Sequence, residues 1–335
     1  MRNYKGADSL QIFYEKCDLL SAEKSPFLFV ISYEQDEAII VEDPLEKESL
    51  LFAVNDKTNA PAIKKQTNDN PILVAHPIPY REYLDKYQTI EKALRRGDSF
   101  LCNLTVATPI ELSCPLSDLF YLVDAPYKLY IPGRFLCFSP EKFVTIDSRT
   151  KKIYTYPMKG TIDASIPHAK EMILSDYKET AEHYTIVDLM RADLARVATH
   201  VSVERFRYID RIETPSSSLL QVSSLISGYL KEGPLSIGSI LRELLPAGSI
   251  SGAPKSATIE AIASAEKGPR GFYTGIFGFY DGENLDSCVL IRFIEETHDH
   301  KYLYRSGGGI TINSSPQEEY NEIIQKVYLP IKRKL

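Results

Sequence analysis

Residues 129–156 read LYIPGRFLCFSPEKFVTIDSRTKKIYTY. Four short apolar runs stand in this stretch, Leu129–Ile131, Phe135–Phe138, Phe143–Ile146 and Lys152–Tyr156, and Pro132-Gly133 and Asp147-Ser148 fall between them. Runs rich in aromatic and β-branched residues, punctuated every few positions by turn residues, predict consecutive antiparallel strands, because such strands need only tight turns to join them whereas parallel strands need long crossovers. On the N-terminal side, Tyr83, Tyr87, Ile90 and Leu94 recur at helical spacing and Gly97 follows where a helix commonly ends, which predicts a helix over Tyr80–Arg96. On the C-terminal side, Val187, Met190, Leu194 and Val197 mark one face of a long helix over Lys178–Thr199 with an acidic first turn.

Further out, Ser236–Leu245, Lys255–Ala265 and Pro316–Lys326 read as helices, and Phe272–Tyr280, Ser287–Glu295 and Lys301–Ser306 as strands. Residues 1–75 read as a few strands, Phe27–Tyr33 and Ala38–Val41 among them, followed by a loose polar loop over Asn55–Asn70. Strands, then helices, then strands again predict an α+β fold and not repeating βαβ units. There is no internal repeat and no linker that divides the chain cleanly.

The 335 residues suffice for one large domain or two smaller ones. Hydrophobic residues at 44% and charged residues at 25% exclude collagen-like, disordered and membrane compositions. Lys plus Arg number 39 against 45 Asp plus Glu, a net charge of −6, which argues against a nucleic acid partner. The 5 cysteines are scattered and never spaced C-x-x-C, so neither a disulfide framework nor a zinc site is expected, and a reducing cytoplasm is the simplest home. No stretch approaches the ~18 apolar residues that span a bilayer, and no secretory h-region follows Met1, so no membrane association is expected.

Glu179 with Glu182, and Glu319 with Glu322, are carboxylate pairs at i,i+3 spacing, each on one face of a predicted helix. Convergent carboxylates with room for water suit magnesium, although an isolated Glu-x-x-Glu is ordinarily a solvated face. Pro246–Lys255 lacks the Gly-Lys-Ser/Thr of a phosphate loop but predicts Ser251 as a helix cap and Pro254 near the first turn, with backbone N–H groups aimed at an anion. Gly307–Gly309 reads as a strand end where backbone donors approach a ligand closely. Pro157-Met-Lys-Gly-Thr161 places Lys159 in a turn after a strand, and His298-Asp-His300 reads as a polar hairpin tip.

Taken in order, Ser139-Pro-Glu-Lys-Phe143, Pro157–Thr161, Glu179-x-x-Glu182 with Ile186-Val-Asp-Leu-Met-Arg-Ala-Asp193, Pro246–Lys255, Tyr273–Gly278, Ile291-Arg-Phe293 and Gly307–Ile310 through Glu322 resemble the chorismate-utilising enzymes over about residues 80–330. Lysine in the Pro-x-Lys-Gly-Thr motif resembles component I of the aminodeoxychorismate synthases, the large subunit of para-aminobenzoate synthase, where anthranilate synthases carry alanine. The resemblance implies two facing antiparallel sheets with helices outside and the active site in the cleft between them. Residues 1–75 would be a shortened N-terminal region packed on the same fold, without the family's tryptophan-binding motif, and 76–335 the chorismate-binding catalytic domain. Two departures stand out: Leu101 occupies the position of a family glutamine, and Ser224 that of a family histidine.

The activity so implied is conversion of chorismate and ammonia to 4-amino-4-deoxychorismate, for 4-aminobenzoate and folate, with ammonia drawn from glutamine by a partner amidotransferase subunit. Lys159 would attack ring carbon 2 as the 4-hydroxyl leaves, and ammonia would then take carbon 4 and expel the lysine. Glu141 would be the acid and base at that hydroxyl. Magnesium would bind through Glu182, Glu319 and Glu322 with Glu179 nearby, and Thr161, Ser249, Tyr273, Arg292, Gly307, Gly308 and Gly309 would contact substrate. A neutral lysine at pH 7 costs more than about 4 kcal/mol at its ordinary pKa of ~10.4, so a lowered pKa is expected. Anthranilate synthase component I, an isochorismate or salicylate synthase using water, and a non-catalytic chorismate-binding protein are the rival readings.

Overall fold

The computed structural model describes residues 1–61, 71–213 and 218–331, so the polar loop lies outside the described residues from position 62 onward. The N-terminal part runs β1 (Arg2–Lys5), α1 (Ala7–Ala22), β2 (Phe27–Ile31), β3 (Glu37–Glu42), β4 (Leu51–Val54), β5 (Lys57–Thr58) and β6 (Leu73–Ala75). Then come α2 (Tyr80–Arg96), β7 (Leu101–Leu112), α3 (Leu116–Leu122), β8 (Tyr127–Ile131), β9 (Phe135–Ser139), β10 (Lys142–Asp147), β11 (Lys152–Thr155) and β12 (Met158–Asp163). The middle holds α4 (Ala169–Ser175), α5 (Tyr177–Val197), β13 (Ala198–Glu213), β14 (Ser218–Leu230), α6 (Ile237–Leu244), α7 (Gly248–Ser251), β15 (Gly252–Ala253) and α8 (Lys255–Glu266). The chain closes with β16 (Ile276–Tyr280), β17 (Asn284–Val289), β18 (Phe293–Glu296), β19 (Tyr302–Ile310) and α9 (Pro316–Gln325).

These strands form two antiparallel sheets. One has the order β1-β3-β2-β16-β17-β10-β11-β14-β12, with β13 also on β14; the other runs β15-β7-β19-β18-β9-β8-β4-β5, with β6 on β7. The architecture is α+β, as the order of elements implied. Strand β2 shows how the layers are made: Leu28 and Val30 point between the sheets onto a cluster with Phe52, Leu129, Phe135 and Phe293, while Phe27, Phe29 and Ile31 face the helices. Both faces are thus covered, and all five residues are fully buried.

Helix α5 forms for the reason its periodicity gave. Ile186, Val187, Met190, Leu194 and Val197 share one stripe and are buried against the ten-stranded sheet. Its start is capped by Asp176, whose carboxylate accepts from the Glu179 N–H at 2.8 Å. Helices α2, α8 and α9 cover the outer side of β7 and β19 through Tyr83, Ile90, Leu104, Ile262 and Ile323.

Several expectations need correction. Ala7–Ala22 is a helix where only strands were read, and Leu10, Phe13, Tyr14, Cys17 and Leu20 carry its buried stripe. The hairpin partners β13 and β14 are long strands that the sequence reading passed over. Phe272–Tyr280 is a turn and then β16, and Leu290–Arg292 breaks the run Ser287–Glu295 into two strands that belong to different sheets. Among the described residues no helix is long and apolar enough to cross a membrane.

A small void beside α5 is lined by Phe143, Val144, Thr155, Met190, Asp193, Leu194 and Leu244. Leu194→Ala would enlarge it, so this change should cost about 2–5 kcal/mol of stability. Calorimetric melting of the variant checks this, and an unchanged melting temperature would show that α5 is not held by this stripe.

Candidate active site

Lys159 lies within β12 and not in a turn, a correction with a clear cause. Pro157 and Gly160 read as turn residues, but here they flank a bulge: Met158 pairs with Ser223 and Thr161 with Gln221, so two residues on β12 oppose one on β14. Gly160 takes φ +89°, which its lack of a Cβ permits. A bulge re-aims side chains, and the Lys159 ammonium meets Glu182 of α5, with Nζ 2.8 Å from Oε2. The Glu182 side chain is 8% exposed and that of Lys159 28%. Glu179 stands one turn earlier on α5, against Gly160, where a Cβ would lie 3.0 Å from its Oε2.

The glycines at 307–309 lie inside β19, paired with β7 from Thr105 to Asn103, and are not a strand end. They make the sheet thin at this point. A Cβ on Gly309 would lie 3.3 Å from Lys159 Nζ and 3.2 Å from Leu101 Cδ1, and one on Gly308 would lie 3.4 Å from Glu319 Oε2 and 3.8 Å from Glu322 Oε1. The two glutamate pairs therefore come to one short stretch of β19, the α5 pair around Lys159 and the α9 pair beside Gly308. Among the described residues no three His, Cys, Asp or Glu side chains surround a common point at ligand distance. The donor set itself, four carboxylates on two helices, is of the hard-oxygen kind that suits a magnesium ion.

Burial of Lys159 favours the neutral amine, but the carboxylates of Glu182, Glu179 and Glu322 outweigh it, and its pKa is raised. This reverses the expectation of a lowered value: in this structure the amine is an ammonium. Glu141, in the link between β9 and β10, shows the opposite balance. Burial raises its pKa, opposed by a hydrogen bond from Ser249 Oγ to its Oε1 at 3.1 Å and by Lys326, Arg292 and Lys159. A carboxyl held toward its protonated form is suited to act as an acid.

Arg292 sits in the break between β17 and β18 at φ +54°, its guanidinium over the Tyr328 ring at 5.1 Å. Among the described residues its buried Nε has no hydrogen-bond partner, a donor open to an anion. Tyr273 is buried, its ring tilted 56° to that of Phe293 with centroids 5.9 Å apart. Thr161 is exposed on β12. Ser251 does not cap α8: its hydroxyl turns back to the Ala247 carbonyl at 2.9 Å, and Pro254 takes the cap position. His300 pairs with Glu296 at 2.9 Å across the tip between β18 and β19, as a polar hairpin would.

Two residues of this region escaped the sequence reading. Lys326 follows α9, with Nζ 2.8 Å from the Gly307 carbonyl and 2.6 Å from Glu322 Oε1. His183, next to Glu182, is fully buried, with Nε2 2.7 Å from Ser224 Oγ. Burial first, and then Arg207, lower its pKa to about 4, so the ring is neutral. The small side chain at 224 is thus partnered by an imidazole that arrives from α5, and adjacency to Glu182 was the only sequence signal for it.

The sequence matches the family described as chorismate binding enzyme over residues 10–332. A Haemophilus influenzae protein named "Uncharacterized PabA-like protein" is 46% identical over 97% of this chain and 98% of its own. A Haloarcula marismortui anthranilate synthase component 1 is 33% identical over 73% of this chain and 50% of its own, and the Bacillus subtilis aminodeoxychorismate synthase component 1 is 28% identical over 81% and 60%. Among solved structures, the menaquinone-specific isochorismate synthase of Escherichia coli superposes with a TM-score of 0.73 over 97% of this chain and 82% of its own, at 16% identity, a likeness of fold. With a family match spanning nearly its whole length, the chain belongs to the chorismate binding enzymes.

Proposed function

We propose that the chain is the chorismate-aminating component of an aminodeoxychorismate synthase. The observation that carries this reading is Lys159, an amine aimed by a bulge at the Gly307–Gly309 strand, with Glu182 at 2.8 Å and the apolar Leu101 beside the same glycine. Glu182 Oε2 is the nearest acceptor for the proton that Lys159 must release before it can attack ring carbon 2. Glu141, held toward its acid form, gives a proton to the departing 4-hydroxyl, which leaves as water. As a carboxylate it then takes a proton from the ammonia that adds at carbon 4 and frees the lysine. The sum is chorismate plus ammonia giving aminodeoxychorismate plus water.

The acids of chorismate need local cations on a chain of net charge −6. Arg292 offers its Nε–H, unpartnered among the described residues, for the pyruvyl carboxylate, with Tyr273, Ser249 and the Gly307–Gly309 backbone as further contacts. Glu182, Glu319 and Glu322, with Glu179 nearby, would hold magnesium, whose charge suits the ring carboxylate. Ammonia would come from a glutamine amidotransferase subunit in a cytoplasmic complex. Anthranilate synthase remains the second reading, favoured by the identity to the Haloarcula protein, and Lys159 decides between them.

Lys159→Ala should fold and bind chorismate, yet lose carbon-4 amination steeply and divert residual product toward amination at carbon 2. Product identity by mass spectrometry and fluorescence, with chorismate, magnesium and ammonium supplied, reads this directly. Aminodeoxychorismate formed at the wild-type rate by the variant would reject Lys159 as nucleophile.

Amination should also require a divalent cation and fall with Glu322→Ala, in which the α9 pair is broken. Titration of magnesium into the chelator-treated protein, followed by turnover and by calorimetric heat, tests this. Full turnover of the variant in the presence of chelator would reject the metal assignment.

A further inference from the structure

Lys255 and Asp193 form an ion pair at 2.9 Å, with side chains only 18% and 12% exposed. Lys255 is the first residue of α8, and its ammonium also donates to the carbonyl of Leu244, the last residue of α6, at 3.0 Å. One amine thus grips the chain on both sides of the segment 245–254 and closes it into a loop. Asp193 lies on α5, about three helical turns beyond Glu182 and so on the same face.

The loop is wedged between two surfaces. A Cβ on Gly248 would fall 2.9 Å from Asp193 Oδ2 and 2.9 Å from the Leu189 side chain, so α7 touches α5 with no space between. On the far side Gly252 and Ala253 pair with Cys102 and Leu101 of β7, in the other sheet. Between these anchors stands Ser249, whose hydroxyl reaches Glu141.

We propose that the Asp193–Lys255 pair positions Ser249 on Glu141, a role neither residue performs by touching substrate. The inference rests on Glu141 being the acid of the proposed reaction. A buried ion pair is a weak source of stability, and an apolar pair of similar volume often does as well or better. An apolar pair cannot, however, hold the Leu244 carbonyl and the Asp193 carboxylate to one point. Burial raises the Asp193 pKa and lowers that of Lys255, each opposed by its partner, as for a pair taken out of water together.

The test is steady-state amination of chorismate by the full chain with magnesium and ammonium, in Lys255→Met, Ser249→Ala, the combination of both, Glu141→Gln, and the apolar pair Asp193→Leu with Lys255→Met. Lys255→Met should lower kcat about tenfold, the equivalent of one hydrogen bond, with KM for chorismate nearly unchanged. Ser249→Ala should lower kcat at least as much and also raise KM through its own contact with substrate, and the combination should lower kcat no further than Ser249→Ala alone. The apolar pair should melt no lower than wild type and still show the reduced kcat, which keeps the test valid if Lys255→Met folds poorly. Multiplied effects of Lys255→Met and Ser249→Ala, or wild-type kcat in the apolar pair, would overturn the positioning role while leaving Glu141 as acid. Wild-type kcat in Glu141→Gln would overturn both.

Discussion

The contact between the Lys159 ammonium and the Glu182 carboxylate is the point around which the rest of the structure is arranged. A lysine and a glutamate at this depth are costly unless each satisfies the other. Their meeting requires that β12, at one end of the ten-stranded sheet, and α5, which packs on that sheet, deliver side chains to the same place. The bulge at Lys159 and Gly160 supplies the first and the buried stripe from Ile186 to Val197 the second. The glycines of β19 then remove any side chain that would fill the space.

From this pair the charge logic of the site spreads outward. Carboxylates from α5 and α9 hold Lys159 protonated, whereas burial holds Glu141 toward its neutral form. Two groups of one site are thus set in opposite states, Lys159 by the carboxylates around it and Glu141 by desolvation that outweighs its cationic neighbours. For nucleophilic use the lysine must lose its proton, and Glu182, at 2.8 Å, is the carboxylate placed to take it. The segment that carries Ser249 touches both sheets' surroundings, through Asp193 on α5 and through β7. It therefore bridges α5, which packs on one sheet, to β7 of the other.

Much of this was legible in the residues, and the exceptions have physical causes. The periods of Tyr83–Leu94 and Val187–Val197 place α2 and α5 because each buries a single apolar stripe. Helix α1 carries helical spacing at Leu10, Phe13, Cys17 and Leu20, but Ile12 and Leu19 on its exposed face blur the contrast that marks a stripe. The long strands β13 and β14 alternate polar and apolar residues weakly, and their pairing with each other sustains them. By sequence Lys159 and Gly307–Gly309 read as a turn and a strand end, because Pro and Gly signal breaks locally. Here tertiary pairing with β14 and β7 overrides that signal. The raised pKa of Lys159 could not be read from its burial, because its sign depends on three carboxylates that lie far away in sequence. The partnership of His183 with Ser224 is likewise a contact between α5 and β14 that no local pattern encodes.

The central claim is that Lys159 is a nucleophile held in reserve by Glu182. Intact-protein mass spectrometry of enzyme quenched after mixing with chorismate and magnesium in the absence of ammonia tests it most directly. The account predicts an added mass equal to chorismate less one water, mapped by peptide fragmentation to Lys159 and removed when ammonium is supplied. Unmodified protein under conditions that support amination once ammonium is added, or an adduct mapped to another residue, would contradict it.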